Sequence, residues 1–339
     1  STAPTHFSYF ARDRLDSPAM SPRLRTALDR REAEVAKALA AKDFVLAKRI
    51  QTDRILLSSE DRANELKKLA DIYRQLPEYQ RILELQPDAL PSFPLPDNAD
   101  RTSLLMAMSL FDEATDEIRE RWSLRDPKSA LTQSLALNRG GASRESIYAV
   151  EVLMRSVPDD YHPDLLPLAV RQLLYPRYFY NAIARDAERF DADPRLVLSI
   201  MREESRFNPR AKSAAAARGL LQFIITTARD IGRNIGLLDV DPEDLYDPRV
   251  IISLGAKYVA ELMEEFEGNR YNAVAAYNAG PNQVKLWKRI APGPDDDYFL
   301  SAVNFDETKH YIRKVMNSYK RYGEIYDRTA PAGGVTIEP

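Results

Sequence analysis

The chain of 339 residues contains no cysteine and only three histidines, His6, His162 and His310. The absence of cysteine excludes disulfides, thiol nucleophiles and thiolate metal sites. The three histidines lie far apart in the sequence and match no metal-ligand spacing, so we interpret them as surface or packing residues. The sequence therefore implies neither a metal nor an organic cofactor.

The chain also lacks an excess of positive charge and any long apolar run. Its net charge of -3 gives no general basic field, so we expect no nucleic acid as a partner. No apolar run approaches the ~20 residues that span a bilayer. The N-terminal sequence STAPTHFSYF has neither the basic nor the apolar region of a signal peptide. If the protein is exported, this sequence is therefore its mature or trimmed form.

Glycine is absent before Gly140, and all twelve glycines lie from that position onward. Because glycine is needed where the backbone turns tightly, its absence predicts plain helices joined by short polar turns. Apolar residues recur there at three- and four-residue steps, as at Leu66, Leu69, Tyr73 and Leu76, which is typical of amphipathic helices. Such helices in series favour a helical-repeat or superhelical region.

Composition changes further along the chain suggest how it is divided. Residues 86–100 are rich in proline and predict a break between helical blocks. Most glycines and most residues of chemical interest follow position 175, and strand signals are scarce throughout. We therefore predict an all-α fold with a superhelix-like region over residues 1–175, a second helical domain over 176–326 and a flexible tail over 327–339.

One helix of the second domain places a glutamate on an apolar face. Asp193 and Pro194 form a helix start, a capping acceptor followed by a proline in the first turn. At ~100° per residue, Glu204 falls within ~10° of the centre of the apolar face, and Glu203 lies ~90° away. We expect Glu203 to be an exposed surface charge and Glu204 to point toward the core. The apolar face itself consists of Leu196, Val197, Ile200 and Met201.

A carboxyl group on an apolar face is costly to ionise, so its pKa should rise. A raised pKa is what a general acid requires near neutral pH. A structural interpretation stays open at this point, in which Glu204 forms a salt bridge with an arginine or lies in water at a frayed helix end.

The segment IMREESRFNPRAKSAAAARGLLQF resembles the signature of the soluble lytic transglycosylases, whose catalytic domain is lysozyme-like and related to goose lysozyme. Two later segments, AAYNAGPNQVKLW and FDETKHYIRKVMNSY, resemble further motifs of that family and occur in the same order. The resemblance covers roughly residues 176–326. The residues that carry it are Glu204, Ser205, Ser213, Gly219, Leu220, Leu221, Gln222, Tyr277, Asn278, Gly280, Glu307, Thr308 and Tyr311.

The resemblance implies a lysozyme-like α-helical catalytic domain with one catalytic carboxyl group, that of Glu204. Glu204 would protonate the β-1,4 glycosidic oxygen between N-acetylmuramic acid and N-acetylglucosamine in peptidoglycan. It would then take the proton of the muramic 6-hydroxyl, which attacks C1 of the same sugar and leaves a 1,6-anhydro end. We interpret Asp230 and Asp244 as a surface charge and a turn residue rather than as a nucleophile.

The resemblance also implies substrate-binding roles for Ser213, Gln222, Tyr277, Asn278 and Glu307. Ser213 and Gln222 would hydrogen-bond the sugar or its acetamido group. Tyr277 would hydrogen-bond Glu204, unless it is a core aromatic residue whose hydroxyl bonds to backbone. Glu307 would contact substrate or act as a plain helix-start carboxylate.

Three arginines are candidates for contacts with lactyl or peptide carboxylates, with solvated side chains as the alternative. They are Arg202, Arg206 and Arg218.

The sequence departs from the family pattern at three positions. A proline usual after the glutamine block is Ile225, a glycine usual before the Ala-x-Gly is Ala216, and an asparagine usual after Asp-Pro is Ile251. These exchanges bear on loop conformation and substrate preference and leave the proposed acid intact.

Three functions stay open at this point: a transglycosylase, a lysozyme-like hydrolase that yields reducing ends, and a non-catalytic helical scaffold that binds glycan. Peptidoglycan strands are the expected partner in each. We expect a monomer in the periplasm or bacterial cell envelope, with partners from the cell-wall synthesis or secretion machineries left open.

Overall fold

The computed structural model describes residues 21–57, 61–83, 100–121, 127–293 and 296–327. Over these residues the fold is all-α, as predicted, and β-type pairing is limited to two isolated bridges in one loop. The first helices are α1 (Ser21–Ala40), α2 (Phe44–Leu57), α3 (Arg62–Tyr73), α4 (Gln80–Leu83), α5 (Arg101–Ala107), α6 (Phe111–Arg121), α7 (Pro127–Arg139), α8 (Ser143–Met154) and α9 (Leu168–Leu174). The later helices are α10 (Tyr180–Phe190), α11 (Pro194–Ser205), α12 (Ile225–Asn234), α13 (Pro248–Glu265), α14 (Arg270–Ala279), α15 (Pro281–Ile290), α16 (Asp296–Ala302) and α17 (Asp306–Tyr326). Short 3-10 turns lie at Pro77–Tyr79, Pro163–Leu165 and Asp244–Tyr246.

The described chain divides into two compact units, one from residues 21–83 with 153–169 and the other from residues 100–152 with 170–327. The predicted boundary at position 175 does not coincide with this division. Residues 100–152 pack with the second unit because Ile147 is part of its core and Asn138 donates a hydrogen bond of 2.6 Å to the Tyr178 hydroxyl. Most of the proline-rich stretch, His6 and the tail from residue 328 onward lie outside the described residues.

The first unit is a series of helices in which α2 packs against α1 and α3. The predicted stripe is confirmed, since Leu69, Tyr73 and Leu76 are buried. Tyr73 stacks on Tyr79, with ring centroids 4.2 Å apart. The Tyr79 hydroxyl donates to Asp160 over 2.6 Å, and Lys48 forms a salt bridge of 2.6 Å with the same carboxylate. Stacked rings with satisfied hydroxyl groups thus fill the core of this unit.

The core of the second unit surrounds α11, which packs against α10, α13 and α17. The predicted helix start is confirmed: the Asp193 side chain accepts from the backbone N–H groups of Arg195 and Leu196, and Pro194 occupies the first turn. The predicted apolar face is fully buried. Because each such side chain contributes about 1.5–3 kcal/mol, the face holds α11 firmly in the domain. Its members are Leu196, Val197, Ile200 and Met201.

Of the three departures from the family pattern, one lies in the loop between α11 and α12, and the other two lie next to this loop. Ala216 has a φ of 62°, a left-handed conformation that explains why glycine is usual there. Ile225 is the first residue of α12, where a proline is readily accommodated. Ile251 is fully buried in the second unit's core, so an apolar side chain replaces the usual amide there.

No helix in the described part of the chain is long and apolar enough to cross a membrane.

We predict that Gly219→Ala destabilises the second unit by about 2–4 kcal/mol. Gly219 has a φ of 75°, and an added Cβ would lie 1.8 Å from the Leu245 carbonyl oxygen. The loop would therefore have to move away from the 3-10 turn that contains Leu245. Gly236→Ala is the matched control, because Gly236 has a φ of 84° with no atom within 4 Å of the added Cβ. Chemical denaturation of both variants measures the difference, and equal losses would contradict the steric explanation.

Candidate active site

Glu204 lies in the last turn of α11 and is partly buried, as the helix periodicity predicts. Burial raises the pKa of its carboxyl group to about 7, a hydrogen bond from Tyr311 acts in the opposite direction, and the charge of Glu203 adds to the rise. The Tyr311 hydroxyl donates to Glu204 Oε1 over 2.5 Å. A carboxyl group with a pKa near neutrality can both give and take a proton.

Two tyrosines form the wall beside this carboxyl group. Burial and the nearby Glu204 raise the pKa of both Tyr311 and Tyr277 well above 10, so both hydroxyls stay protonated. The Tyr277 hydroxyl donates to the Leu221 carbonyl over 2.8 Å, so the predicted bond from Tyr277 to Glu204 is wrong. Tyr311, a residue of the third motif for which no role was predicted, makes that bond instead. Tyr277 positions the loop.

Glu203 is not the exposed surface charge predicted from the helix geometry. Its side chain is only 13% exposed, and its Oε1 accepts from Arg202 over 2.6 Å and from Ser318 over 2.7 Å. The helix wheel was wrong because it ignores α17, which covers this flank of α11. The hydrogen bond from Ser318 to Glu203 is thus a second contact between the last turn of α11 and α17, next to the bond from Tyr311 to Glu204.

The remaining predicted site residues lie on three elements: the loop after α11, the end of α14 and the first turn of α17. Asn278, near the end of α14, accepts through its side-chain oxygen from the Thr308 hydroxyl over 2.7 Å, which joins α14 to α17. Glu307 is exposed in the first turn of α17. The prediction that it contacts substrate and the helix-start interpretation both stay open.

Ser213 and Gln222 belong to the loop after α11. The Ser213 hydroxyl oxygen accepts from the Ala217 N–H over 3.1 Å, and Ser213 is exposed. Gln222 donates through Nε2 to the carbonyls of Ala211 and Gly219, over 3.2 and 2.9 Å. Both side chains therefore shape this loop, and the Gln222 side-chain oxygen is its remaining hydrogen-bonding atom.

The three candidate arginines differ in their surroundings. Arg202 is held by Glu203 and donates to the Leu174 carbonyl over 2.9 Å, and Arg206 pairs with Glu151 over 2.8 Å. Arg218 forms no ion pair with any residue that the structure describes, and its Nε is buried without a hydrogen-bond partner. Of the three, only Arg218 has no acidic partner among the described residues.

Asp230 and Asp244 match their interpretation as a surface charge and a turn residue. Asp230 is exposed and pairs with Arg233 on the same helix, and Asp244 accepts from the Asp241 N–H over 2.8 Å at the start of a 3-10 turn. Within the described ranges, no group of three His, Asp or Glu side chains could hold a metal ion.

Comparison with known proteins places this geometry in a family context. The family model of the transglycosylase SLT domain matches residues 181–300. The chain is 31% identical over 150 residues to the soluble lytic murein transglycosylase of Salmonella typhimurium, a match over 44% of this chain and 23% of that protein. It is 34% identical over 129 residues to that of Escherichia coli, a match over 37% of this chain and 20% of that protein. Both matches leave most of the relatives' length uncovered.

A solved structure shares the fold over nearly the whole chain. It is that of an inactive variant of the lytic transglycosylase Slt from Pseudomonas aeruginosa, in which a glutamate is replaced by glutamine. The TM-score is 0.56 at 22% identity, and the match covers 94% of this chain and 53% of that one. Residues 181–300 therefore match the transglycosylase SLT domain family, and over part of its length the chain is similar to soluble lytic murein transglycosylases.

Proposed function

We propose that the chain is a peptidoglycan lytic transglycosylase in which Glu204 is the single catalytic carboxyl group. It would cleave the β-1,4 bond between N-acetylmuramic acid and N-acetylglucosamine and form a 1,6-anhydro end. The observation that carries the proposal is the partly buried Glu204, whose pKa is raised to about 7 and which accepts a hydrogen bond from Tyr311 in a transglycosylase SLT domain.

The pKa of Glu204 suits two successive proton transfers. In the first, protonated Glu204 gives its proton to the glycosidic oxygen as the bond to C1 of the muramic acid breaks. In the second, the carboxylate takes the proton of the 6-hydroxyl while that oxygen bonds to C1. The carboxyl group is thus restored and no water is consumed. A group with a pKa near the working pH serves well in both steps.

A one-carboxylate scheme fits the surroundings of Glu204. Most glycosidases use a second carboxylate as nucleophile or base. The neighbouring carboxylate, Glu203, is engaged by Arg202 and Ser318 and is therefore poorly placed for that role. The 6-hydroxyl of the substrate replaces the second carboxylate in this proposal.

The other predicted residues bind the strand in this proposal. Gln222 presents its side-chain oxygen to an acetamido N–H, and Ser213 donates its hydroxyl hydrogen to the sugar. Asn278 and Glu307 line the side formed by α14 and α17. A Glu-to-Gln exchange also inactivates the Pseudomonas aeruginosa enzyme of the same fold, which supports the central role of a glutamate. Since the relatives are named for murein, we place the chain in the periplasm or cell envelope.

Mass spectrometry of digested peptidoglycan tests the reaction. The chain should release anhydromuropeptides, and Glu204→Gln should lower their release by about 10²–10⁴-fold, the usual contribution of general acid–base catalysis. Asp230→Asn, which removes an exposed carboxylate, is the control and should keep full activity. Reducing-end products would instead establish a lysozyme-like hydrolase, and binding without any cleavage would establish a glycan-binding scaffold.

The same substitution should stabilise the fold in a pH-dependent way. The pKa of Glu204 is higher in the folded protein than the ordinary glutamate value of 4.5, so the folded state loses stability as pH rises from 4.5 to 7. Glu204→Gln removes this penalty and should raise the free energy of unfolding by on the order of 2–3 kcal/mol at pH 8 and by little at pH 4. Urea denaturation at both pH values measures it, and an equal effect at both would refute the raised pKa.

Tyr311→Phe should move the alkaline limb of the pH profile of kcat/KM to higher pH. The hydroxyl of Tyr311 stabilises the ionised form of Glu204, so its removal raises the pKa of that carboxyl group further. Tyr277→Phe is the matched control, because its hydroxyl bonds to the Leu221 carbonyl, and it should leave the limb in place. A limb that moves in neither variant, or equally in both, would remove Tyr311 from this role.

A further inference from the structure

The segment from the end of α11 into the first half of α12 is strongly asymmetric in charge. Residues 205–229 contain five cationic side chains and no acidic one, although the whole chain has a net charge of -3. The segment also contains Ser213 and Gln222, the two predicted substrate contacts. Its cations are Arg206, Arg210, Lys212, Arg218 and Arg229.

Backbone hydrogen bonds bring two of these cations side by side. Lys212 and Arg218 form an antiparallel bridge. The hydrogen bonds of this bridge join the residues next to Lys212 and Arg218, so these two residues are a non-hydrogen-bonded pair. Their side chains lie on one face, with Cβ atoms about 4.5–5.5 Å apart. Like charges in this arrangement destabilise the protein. The flanking bonds run from Ser213 N–H to Ala217 O and from Gly219 N–H to Ala211 O, each over 2.9 Å.

The structure supplies this pair with no counter-charge. Arg206 has Glu151 within 2.8 Å and Arg229 has Asp241 within 3.8 Å. Lys212 and Arg218, in contrast, form no ion pair with any described residue, and the buried Nε of Arg218 has no hydrogen-bond partner. A buried donor without a partner costs about 1–3 kcal/mol. Two repelling cations, one of them with an unused donor, are typical of a site that an anionic ligand completes.

The pair is anchored next to the wall of the candidate active site. Arg218 exchanges two backbone hydrogen bonds with Phe223, over 3.0 and 3.1 Å, so the two side chains share a face. The Phe223 ring packs edge-on against Tyr277, whose hydroxyl holds the Leu221 carbonyl. By strand alternation Ser213 projects from the opposite face. Lys212 and Arg218 therefore face away from a sugar bound beside Ser213. They are placed to contact a substituent of that sugar that extends past the loop.

We propose that Lys212 and Arg218 form an anion site for the carboxylates of the peptide stem carried by the muramic acid near the cleaved bond. The arginine fork binds a carboxylate through two hydrogen bonds, and the lysine adds a compact charge. A stem that spans about 3.3 Å per residue is long enough to pass the edge of the loop. The lactyl carboxylate of a stem-free sugar lies directly on the ring and is a less suitable ligand. The proposal rests on the proposed function for its substrate.

Binding of soluble glycan fragments to the Glu204→Gln protein tests the site without turnover. The fragments carry stems with free carboxylates, stems with amidated carboxylates, or no stem and a free lactyl carboxylate. Calorimetry should give the tightest binding for free stem carboxylates. Adding Lys212→Gln and Arg218→Gln should weaken that binding by about tenfold or more, while the amidated fragment binds unchanged.

Two controls exclude indirect effects. Arg144→Gln with Arg289→Gln removes the same charge from exposed positions in the second unit and should leave the preference intact. Thermal unfolding of the Lys212→Gln and Arg218→Gln protein should show no loss of stability, because the substitutions relieve repulsion.

Three outcomes would overturn the proposal: free and amidated stems that bind alike, a preference that survives both substitutions, or tightest binding by the stem-free fragment, which would assign the site to the lactyl carboxylate. The reaction itself is judged separately from the products of the wild-type chain. A chain that prefers free stem carboxylates but releases no anhydromuropeptide would refute the proposed activity and leave the anion site standing.

Discussion

The packing of α17 against the last turn of α11 is the constraint on which the candidate site depends. The hydroxyl of Tyr311 reaches Glu204, and the hydroxyl of Ser318 reaches Glu203, so one helix binds two adjacent carboxyl groups in different ways. Glu203 forms an ion pair with Arg202. Glu204 has no cation beside it among the described residues, which leaves burial to dominate its protonation. Two neighbouring residues of the same type thereby acquire different chemistry.

The domain tolerates the unfavourable position of Glu204 because the rest of α11 is well anchored. Four apolar side chains bury fully in the core, and Asp193 caps the start of the helix. At the other end, the Ser205 hydroxyl donates to the Leu220 carbonyl over 2.7 Å and joins the helix to the following loop. The stabilising contacts lie before and after Glu204, so the helix stays in place although this carboxyl group occupies an unfavourable position.

Much of this arrangement was predictable from local sequence. The capping Asp193, the apolar periodicity and the position of Glu204 follow from helix geometry, and the motif blocks indicate the loop and the two later helices. What failed needed tertiary contacts: the burial of Glu203 depends on Ser318, 115 residues away, and the partner of Glu204 is Tyr311 rather than Tyr277. The sequence does indicate which face of α17 is packed, but not that α11 lies against it. The residues of that face are Thr308, Tyr311, Val315, Ser318 and Tyr322. The packing of residues 100–152 with the second unit had no local signal.

The separation between Glu204 and Tyr311 has a consequence for how the protein is made. These two residues are 107 positions apart, and Asp193 and Tyr319, which also pair, are 126 apart. Contacts between distant segments form only after a large loop has closed. During synthesis from the N-terminus, α11 leaves the ribosome long before α17 exists. Glu204 therefore acquires its tyrosine partner only when the end of the domain has been translated, and a nascent chain carries an incomplete candidate site until then.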